Sequence, residues 1–190
     1  MSPEQLVQKA SAAGAGTIAL TDINNSTAIP EFYSECIKNN IRPVAGIEFR
    51  NGNDLQFVGI ARNNPGMREL NEFLSNHNFE KTQIGFPAPR FSEAYVIYPF
   101  SKKPQRKLFD NERTGIRTEE LNRLVTIPPS EKNRMVILEP VTLGEADDYF
   151  IHRSLRAVDN NILLSHLTPL QCSGSNEFFH SRETLLKFLS

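Results

Sequence analysis

The chain has 190 residues, a formal net charge of −1 and 39% hydrophobic residues, enough to bury one core without a disulfide or metal staple. So small a charge excludes a global field for nucleic acid and leaves only a local basic patch as a route to phosphate. Cys36 and Cys172 are the only cysteines, too few for a secreted disulfide framework and not in a Cys-x-x-Cys pair, which fits a reducing cytoplasm. No apolar run reaches membrane-spanning length and no apolar signal core follows Met1, so neither export nor membrane insertion is expected.

Taken in order, Ser2 can cap a helix with Pro3 in its first position and Gln5 reaching back, after which Leu6, Val7, Ala10 and Ala13 form one apolar stripe. Gly14 and Gly16 stop it. Residues 17–21 read as a continuous apolar, buried strand that delivers Asp22 into an Asn24-Asn25 turn. Ser26 or Thr27 is expected to cap a second helix, with Ile29, Phe32, Tyr33, Cys36 and Ile37 on one face and Pro30 tolerated in the first turn. Asn39-Asn40 closes it. Residues 44–49 form a second strand, Asn51-Gly52-Asn53 turns the chain, and residues 55–61 return antiparallel. Asn64-Pro65-Gly66 opens a third helix with Leu70, Phe73 and Leu74 facing inward.

Beyond His77 the texture changes to scattered prolines. Strands are expected at 95–98 and 135–138, a short helix at 118–125, and a longer one at 145–161 with Ile151, Leu155, Val158 and Ile162 near one face. A terminal helix is expected over 181–189. The early helix-strand alternation with short connections implies an α/β architecture, a largely parallel sheet covered by helices. In such sheets ligands gather at the carboxyl ends of strands, where Asp22 lies; Glu48 is one residue from its own strand's end.

Two readings stand for Asp22. Beside Asn24 and Asn25 it offers hard oxygen donors to a metal, or it makes an Asx turn or helix cap. Glu48, set among Val, Ala, Ile and Phe, must be paired or coordinated. His77 sits near a helix end, where a cation suits the dipole and a ligand role competes with it. His152 and His166 have no ligand spacing and read as surface or capping residues. Cys36 reads as a small core residue; Cys172 lies in a loop without an obvious base. Lys102, Lys103, Arg106 and Lys107 crowd one loop and can meet phosphates or simply be solvated. A Walker loop, a Gly-rich dinucleotide turn and a nucleophile elbow are all missing.

Ser2-Pro3-Glu4-Gln5-Leu6-Val7, Ala19-Leu20-Thr21-Asp22, Glu31-Phe32-Tyr33, residues 41–48 and Ala61-Arg62-Asn63-Asn64-Pro65-Gly66 together resemble the PHP (polymerase and histidinol phosphatase) domain. The version they resemble is the one at the start of the alpha subunit of bacterial DNA polymerase III. The match is dense over residues 2–75; residues 151–159 and Glu177-Phe178-Phe179 resemble later parts less specifically. The resemblance implies a distorted seven-stranded β/α barrel over residues 1–145, with 146–190 as a helical continuation or the start of a following segment. It also implies strand ends that hold up to three metal ions (Zn, Mn or Mg) for phosphoester hydrolysis in active relatives.

The departures point to lost chemistry. The family's opening His-x-His strand is not in this sequence, so the barrel is expected to be incomplete at its N-terminus. The family's Thr-Asp-His is here Thr21-Asp22-Ile23, leaving Asp22, Glu48 and a marginal His77 as metal candidates. The resulting expectation is a cytoplasmic PHP region of a replicative polymerase, without a polymerase site and with hydrolase activity lost. Its implied partners are the rest of the alpha subunit, a proofreading exonuclease subunit, DNA through the full polymerase and, through an exposed strand edge, a second copy of itself. The alternative is a residual metal-dependent phosphoesterase or 3′–5′ exonuclease.

Overall fold

A computed structural model describes residues 1–180, 183 and 184, so the helix expected over 181–189 falls almost wholly outside the described residues. The chain runs α1 (Pro3–Ala12), β1 (Thr17–Ile23), α2 (Ile29–Lys38), β2 (Arg42–Asn51), β3 (Asp54–Ala61), α3 (Asn64–Glu80), β4 (Ala94–Pro99), β5 (Glu112–Ile116), α4 (Pro129–Lys132), β6 (Met135–Ile137) and α5 (Asp148–Asp159). The six strands make one sheet in the order β1-β2-β3-β4-β5-β6. Pairings are parallel for β1/β2, β4/β5 and β5/β6 and antiparallel on both sides of β3. Among the described residues β1 and β6 do not pair with each other, so this α/β sheet is an open part of the expected barrel.

Local chemistry explains the early elements. Gln5 N donates to Ser2 Oγ at 3.2 Å and Ser2 N to Gln5 Oε1 at 3.0 Å, a reciprocal cap that stabilises α1 by about 1 kcal/mol. Its buried stripe is Leu6, Val7 and Ala10. Asn39 caps the end of α2, Asn40 takes φ 55°, and Gly52 takes φ 60° in the turn between β2 and β3. Asn63 caps α3 through Gly66 N. The helix expected at 118–125 is a 3₁₀ segment, Thr118–Thr126.

Helices α1 to α3 cover one face of the sheet. Leu6, Val7, Ala10, Phe32, Cys36 and Ile41 form one core cluster over Ile18 and Leu20. Ile47, Phe49, Phe57, Leu70, Leu74 and Tyr98 belong to a second, larger cluster. Each fully buried large apolar side chain contributes about 1.5–3 kcal/mol. Phe49 and Phe57 lie 4.7 Å apart between ring centres, and Phe73 meets Phe49 edge-on at 5.3 Å.

Two further expectations change here. Strand β1 is not buried: among the described residues it pairs only with β2, and Thr17, Ala19 and Ile23 are exposed while Ile18 and Leu20 face the helices. An apolar run reads the same whether one or both faces are covered, and only tertiary packing decides. Neither Ser26 nor Thr27 caps α2, because Ser26 Oγ donates to Asn71 Oδ1 on α3 at 2.8 Å and the cap position falls on Ala28. The apolar residues of α5 share a face, which points outward, with Ile151 56%, Leu155 63% and Val158 78% exposed, while Ala157 faces in.

Candidate functional site

The β1/β2 register places Ile23 beside Glu48 and Asp22 beside Ile47. Paired residues of neighbouring strands point to the same face and successive residues alternate, so the two carboxylates project to opposite faces of the sheet. Asp22 shares the face covered by α1 to α3 with Ile47; Glu48 shares the opposite face with Ile23. The position directly beside Glu48 therefore carries an aliphatic side chain.

Asp22 does neither of the structural jobs expected of it. The turn after β1 is held by its asparagines: Arg50 N donates to Asn24 Oδ1 at 2.9 Å, Asn24 Nδ2 to Arg50 O at 2.8 Å, and Thr27 N to Asn25 Oδ1 at 2.9 Å. Among the described residues no donor bonds the Asp22 carboxylate, and partial burial pushes its pKa above the usual carboxylate value.

Glu48 is 9% exposed and is bonded by Arg50 Nε two residues along its own strand. Burial pushes its pKa up against the lowering effect of Arg50, and two further charges act on it, Glu177 raising and Arg117 lowering. Glu177 is itself buried; its carboxylate accepts from Thr142 Oγ1 at 2.6 Å and meets Arg117 Nη1 at 3.4 Å. Its backbone carbonyl takes the N–H groups of Thr142 and Leu143, both at 3.0 Å. Two acids and two arginines thus balance one another at the carboxyl ends of β2 and β5 and tie the segment around residue 177 to the sheet. Sequence reasoning singled out Glu177 only as part of a family-like tripeptide, and missed Arg50 and Arg117. An Arg two residues after a buried strand Glu, on the same face by alternation, was the available signal for Arg50.

His77 lies in the last turn of α3, with Nδ1 at 2.8 Å from Phe73 O and its ring 4.2 Å from the Phe73 ring. Helix α3 covers the face opposite Glu48. Asp22, Glu48 and His77 are therefore not brought together, and among the described residues no three His, Cys, Asp or Glu side chains gather in an arrangement that could hold a metal ion. His152 is half-buried, its Nε2 accepts from Ser173 N at 3.0 Å, and burial lowers its pKa. His166 is exposed and Cys36 fully buried, while Cys172 is partly buried.

The four cations of the 102–107 loop do not act together. Lys102 Nζ meets Asp54 Oδ2 at 2.5 Å, Lys103 Nζ meets Glu131 Oε2 at 2.6 Å, and Arg106 forks onto Glu112 with both contacts at 2.7 Å. Lys107 alone turns into a cleft with Arg62 and Arg90. Among the described residues no helix is long and apolar enough to cross a membrane.

The sequence profile of the PHP domain matches residues 1–114. DNA polymerase III subunit alpha of Staphylococcus aureus (strain COL) is 37% identical over 99 residues, which is 50% of this chain and 9% of that protein. The corresponding subunit of Mycoplasma genitalium (strain G37) is 36% identical over 76 residues, 38% of this chain and 8% of that one. The aligned stretches therefore span under a tenth of these curated relatives. Among solved structures, a candidate metal-dependent phosphoesterase from Bifidobacterium adolescentis aligns over 99% of this chain and 90% of that one at 12% identity, with a TM-score of 0.38.

Proposed function

The chain belongs to the PHP domain family, and from that premise we propose that it is a PHP region of DNA polymerase III alpha type with a degenerate metal site, serving DNA replication as a structural and partner-docking module. The observation that carries this reading is the state of Glu48: its carboxylate is committed to Arg50, and its neighbour on the same face is Ile23. A PHP-type Zn, Mn or Mg cluster needs several convergent oxygen and nitrogen donors. Asp22 and His77 belong to the other face, and Arg50 and Arg117 already supply the positive charge at Glu48 and Glu177, so the donor set does not fit a multinuclear site.

The docking role follows from the same balance. A charge network that needs no metal keeps the region around residue 177 fastened to the sheet, leaving outer surfaces for the remainder of an alpha subunit and a proofreading exonuclease subunit, with DNA engaged through the full polymerase in the cytoplasm. The second reading, a residual phosphoesterase or 3′–5′ exonuclease, draws on one observation: the part-buried Asp22 carboxylate has no bonding partner among the described residues.

One experiment separates the two. The purified chain is stripped of metal, supplied with Mn²⁺ or Zn²⁺, and assayed on single-stranded DNA alongside Asp22→Ala, with bound metal measured by elemental analysis. The module reading expects no degradation and no stoichiometric metal. Degradation that disappears with Asp22→Ala would overturn it in favour of the hydrolase.

A further inference from the structure

At the opposite end of the sheet from Glu48, where β3 ends and β4 and β5 begin, lies a cleft of about 740 Å³. Three of its walls carry exposed cations, Arg62, Arg90 and Lys107. Among the described residues none of the three forms an ion pair with a carboxylate. Among the described residues Asp110 is the only acid lining the cleft; it is held by Arg134 Nη2 at 3.0 Å, which with Lys107 and Arg113 keeps its carboxyl below the usual range. The cleft therefore carries three cations outside any ion pair among the described residues, with Asp110 acting on Lys107 at longer range, in a chain whose net charge is −1.

Those charges stand against aromatic rings. Arg62 lies over Tyr95 at 5.5 Å with Arg113 over the same ring at 5.6 Å; Arg90 lies over Phe109 at 5.1 Å with Arg106 at 4.1 Å. A guanidinium laid on a ring keeps its planar fork of donors oriented while losing little entropy when it meets an anion. Arg106 is already committed to Glu112, and Arg113 Nη1 to the carbonyls of Asp110 and Glu112. Of the arginines stacked at this cleft, Arg62 and Arg90 have no side-chain hydrogen bond among the described residues. Tyr95 and Phe109 keep 36% and 38% exposure beside them.

We infer that this cleft binds single-stranded nucleic acid, with Arg62, Arg90 and Lys107 taking successive phosphates and the exposed parts of Tyr95 and Phe109 taking unpaired bases. Cations outside any ion pair beside partly exposed rings are what such ligands require. A duplex offers phosphates but keeps its bases stacked inside, and an acidic peptide satisfies the cations while leaving the rings bare. The surface shares only Lys107 with the loop cations that the sequence suggested as phosphate ligands, since Lys102, Lys103 and Arg106 are paired with Asp54, Glu131 and Glu112.

The test is fluorescence anisotropy of a labelled oligodeoxythymidine with the 190-residue chain, at low and moderate salt. Three phosphate contacts on a single strand predict a slope of log K against log salt of about −2, an affinity loss of roughly twenty-fold between 50 and 200 mM. Arg62→Ala, Arg90→Ala and Lys107→Ala combined, all at exposed positions, should abolish binding while circular dichroism and melting temperature stay unchanged. Tyr95→Leu should weaken binding about five-fold or more, and the paired Lys102→Ala, Lys103→Ala variant should bind as the parent does. The inference is overturned if the oligonucleotide fails to bind at 50 mM salt or if the triple variant binds it equally well. It is also overturned if a duplex, tripolyphosphate or a glutamate-rich peptide competes with affinity equal to that of the single strand.

Discussion

Removing Arg106 should destabilise the fold more than its loop position suggests, because of what it leaves behind. Glu112 is 2% exposed, and its carboxylate accepts from Arg106 Nη1 and Nη2, from Phe109 N at 2.7 Å and from Tyr98 OH at 2.9 Å. Burial alone would raise the Glu112 pKa, but the bonds from Arg106, Phe109 and Tyr98 outweigh it and hold the carboxyl below its ordinary value. Arg106→Ala strands that charge. Breaking a fully buried pair costs about 3–5 kcal/mol; with the Arg106 side chain 34% exposed, water reaches the vacated space and the expected loss falls to about 2–3 kcal/mol.

Urea unfolding at pH 7 should then show a midpoint lower by roughly 1 M with an unchanged slope. The sign of the pH dependence follows from the shift. In the parent the depressed pKa gives stability that is present above the unfolded carboxylate value of about 4.3 and is lost as pH falls through the lower folded value. In Arg106→Ala the unpaired buried carboxyl takes up a proton at higher pH, so the penalty is largest near neutrality and shrinks towards pH 4. The paired replacement Arg106→Met with Glu112→Gln should cost less than Arg106→Ala alone, since no charge is stranded, the amide oxygen still accepts from Phe109 N and the amide NH2 donates to the Tyr98 hydroxyl oxygen. An Arg106→Ala chain that unfolds like the parent at pH 7, or a penalty constant from pH 7 to 4, would refute this account.

The remaining predictions concern the β1/β2 end and its edge. Ile23→His puts an imidazole beside Glu48 and should raise Zn²⁺ affinity by ten-fold or more in calorimetric titration; equal zinc binding by parent and variant would show that position 23 does not face the acid. In Gly46→Ala the new Cβ would lie 2.3 Å from Gly59 O and 2.9 Å from Thr21 Cγ2, so β1, β2 and β3 must shift apart. The cost should be about 1–3 kcal/mol, read as a lower melting temperature, and an unchanged one would contradict the packing. The outer edge of β1 is unpaired among the described residues, so sedimentation equilibrium should show concentration-dependent dimers; a single monomeric species throughout would mean the edge is guarded.

Much of the first half of the fold is written locally. Ser2 and Gln5 sit three apart, Pro3 occupies a first helical position and Gly52 a turn requiring positive φ, so short-range rules find them. The later charges behave otherwise. Lys102, Lys103 and Arg106 look like one basic run, yet their partners are Asp54, Glu131 and Glu112, two of them more than twenty-five residues away. Lys107, the one member without such a partner, joins Arg62 and Arg90 across two strand ends. The apolar positions of α5 gave a helix correctly but not the direction of its face, because periodicity is identical for a stripe that is covered and one that is not.

At the candidate site the sequence by itself determined the identities that matter: Asp22 and Glu48 at strand ends, Ile23 where the family carries a histidine, and a family match over residues 1–114. Tertiary structure alone decided that Asp22 and Glu48 lie on opposite faces, that Arg117 and Glu177 join the Arg50–Glu48 pair, and that among the described residues β1 is an edge. The division has a physical cause. Backbone preferences, caps and strand alternation act over a few residues, whereas burial, face and charge compensation are set by segments that meet only once the sheet has formed.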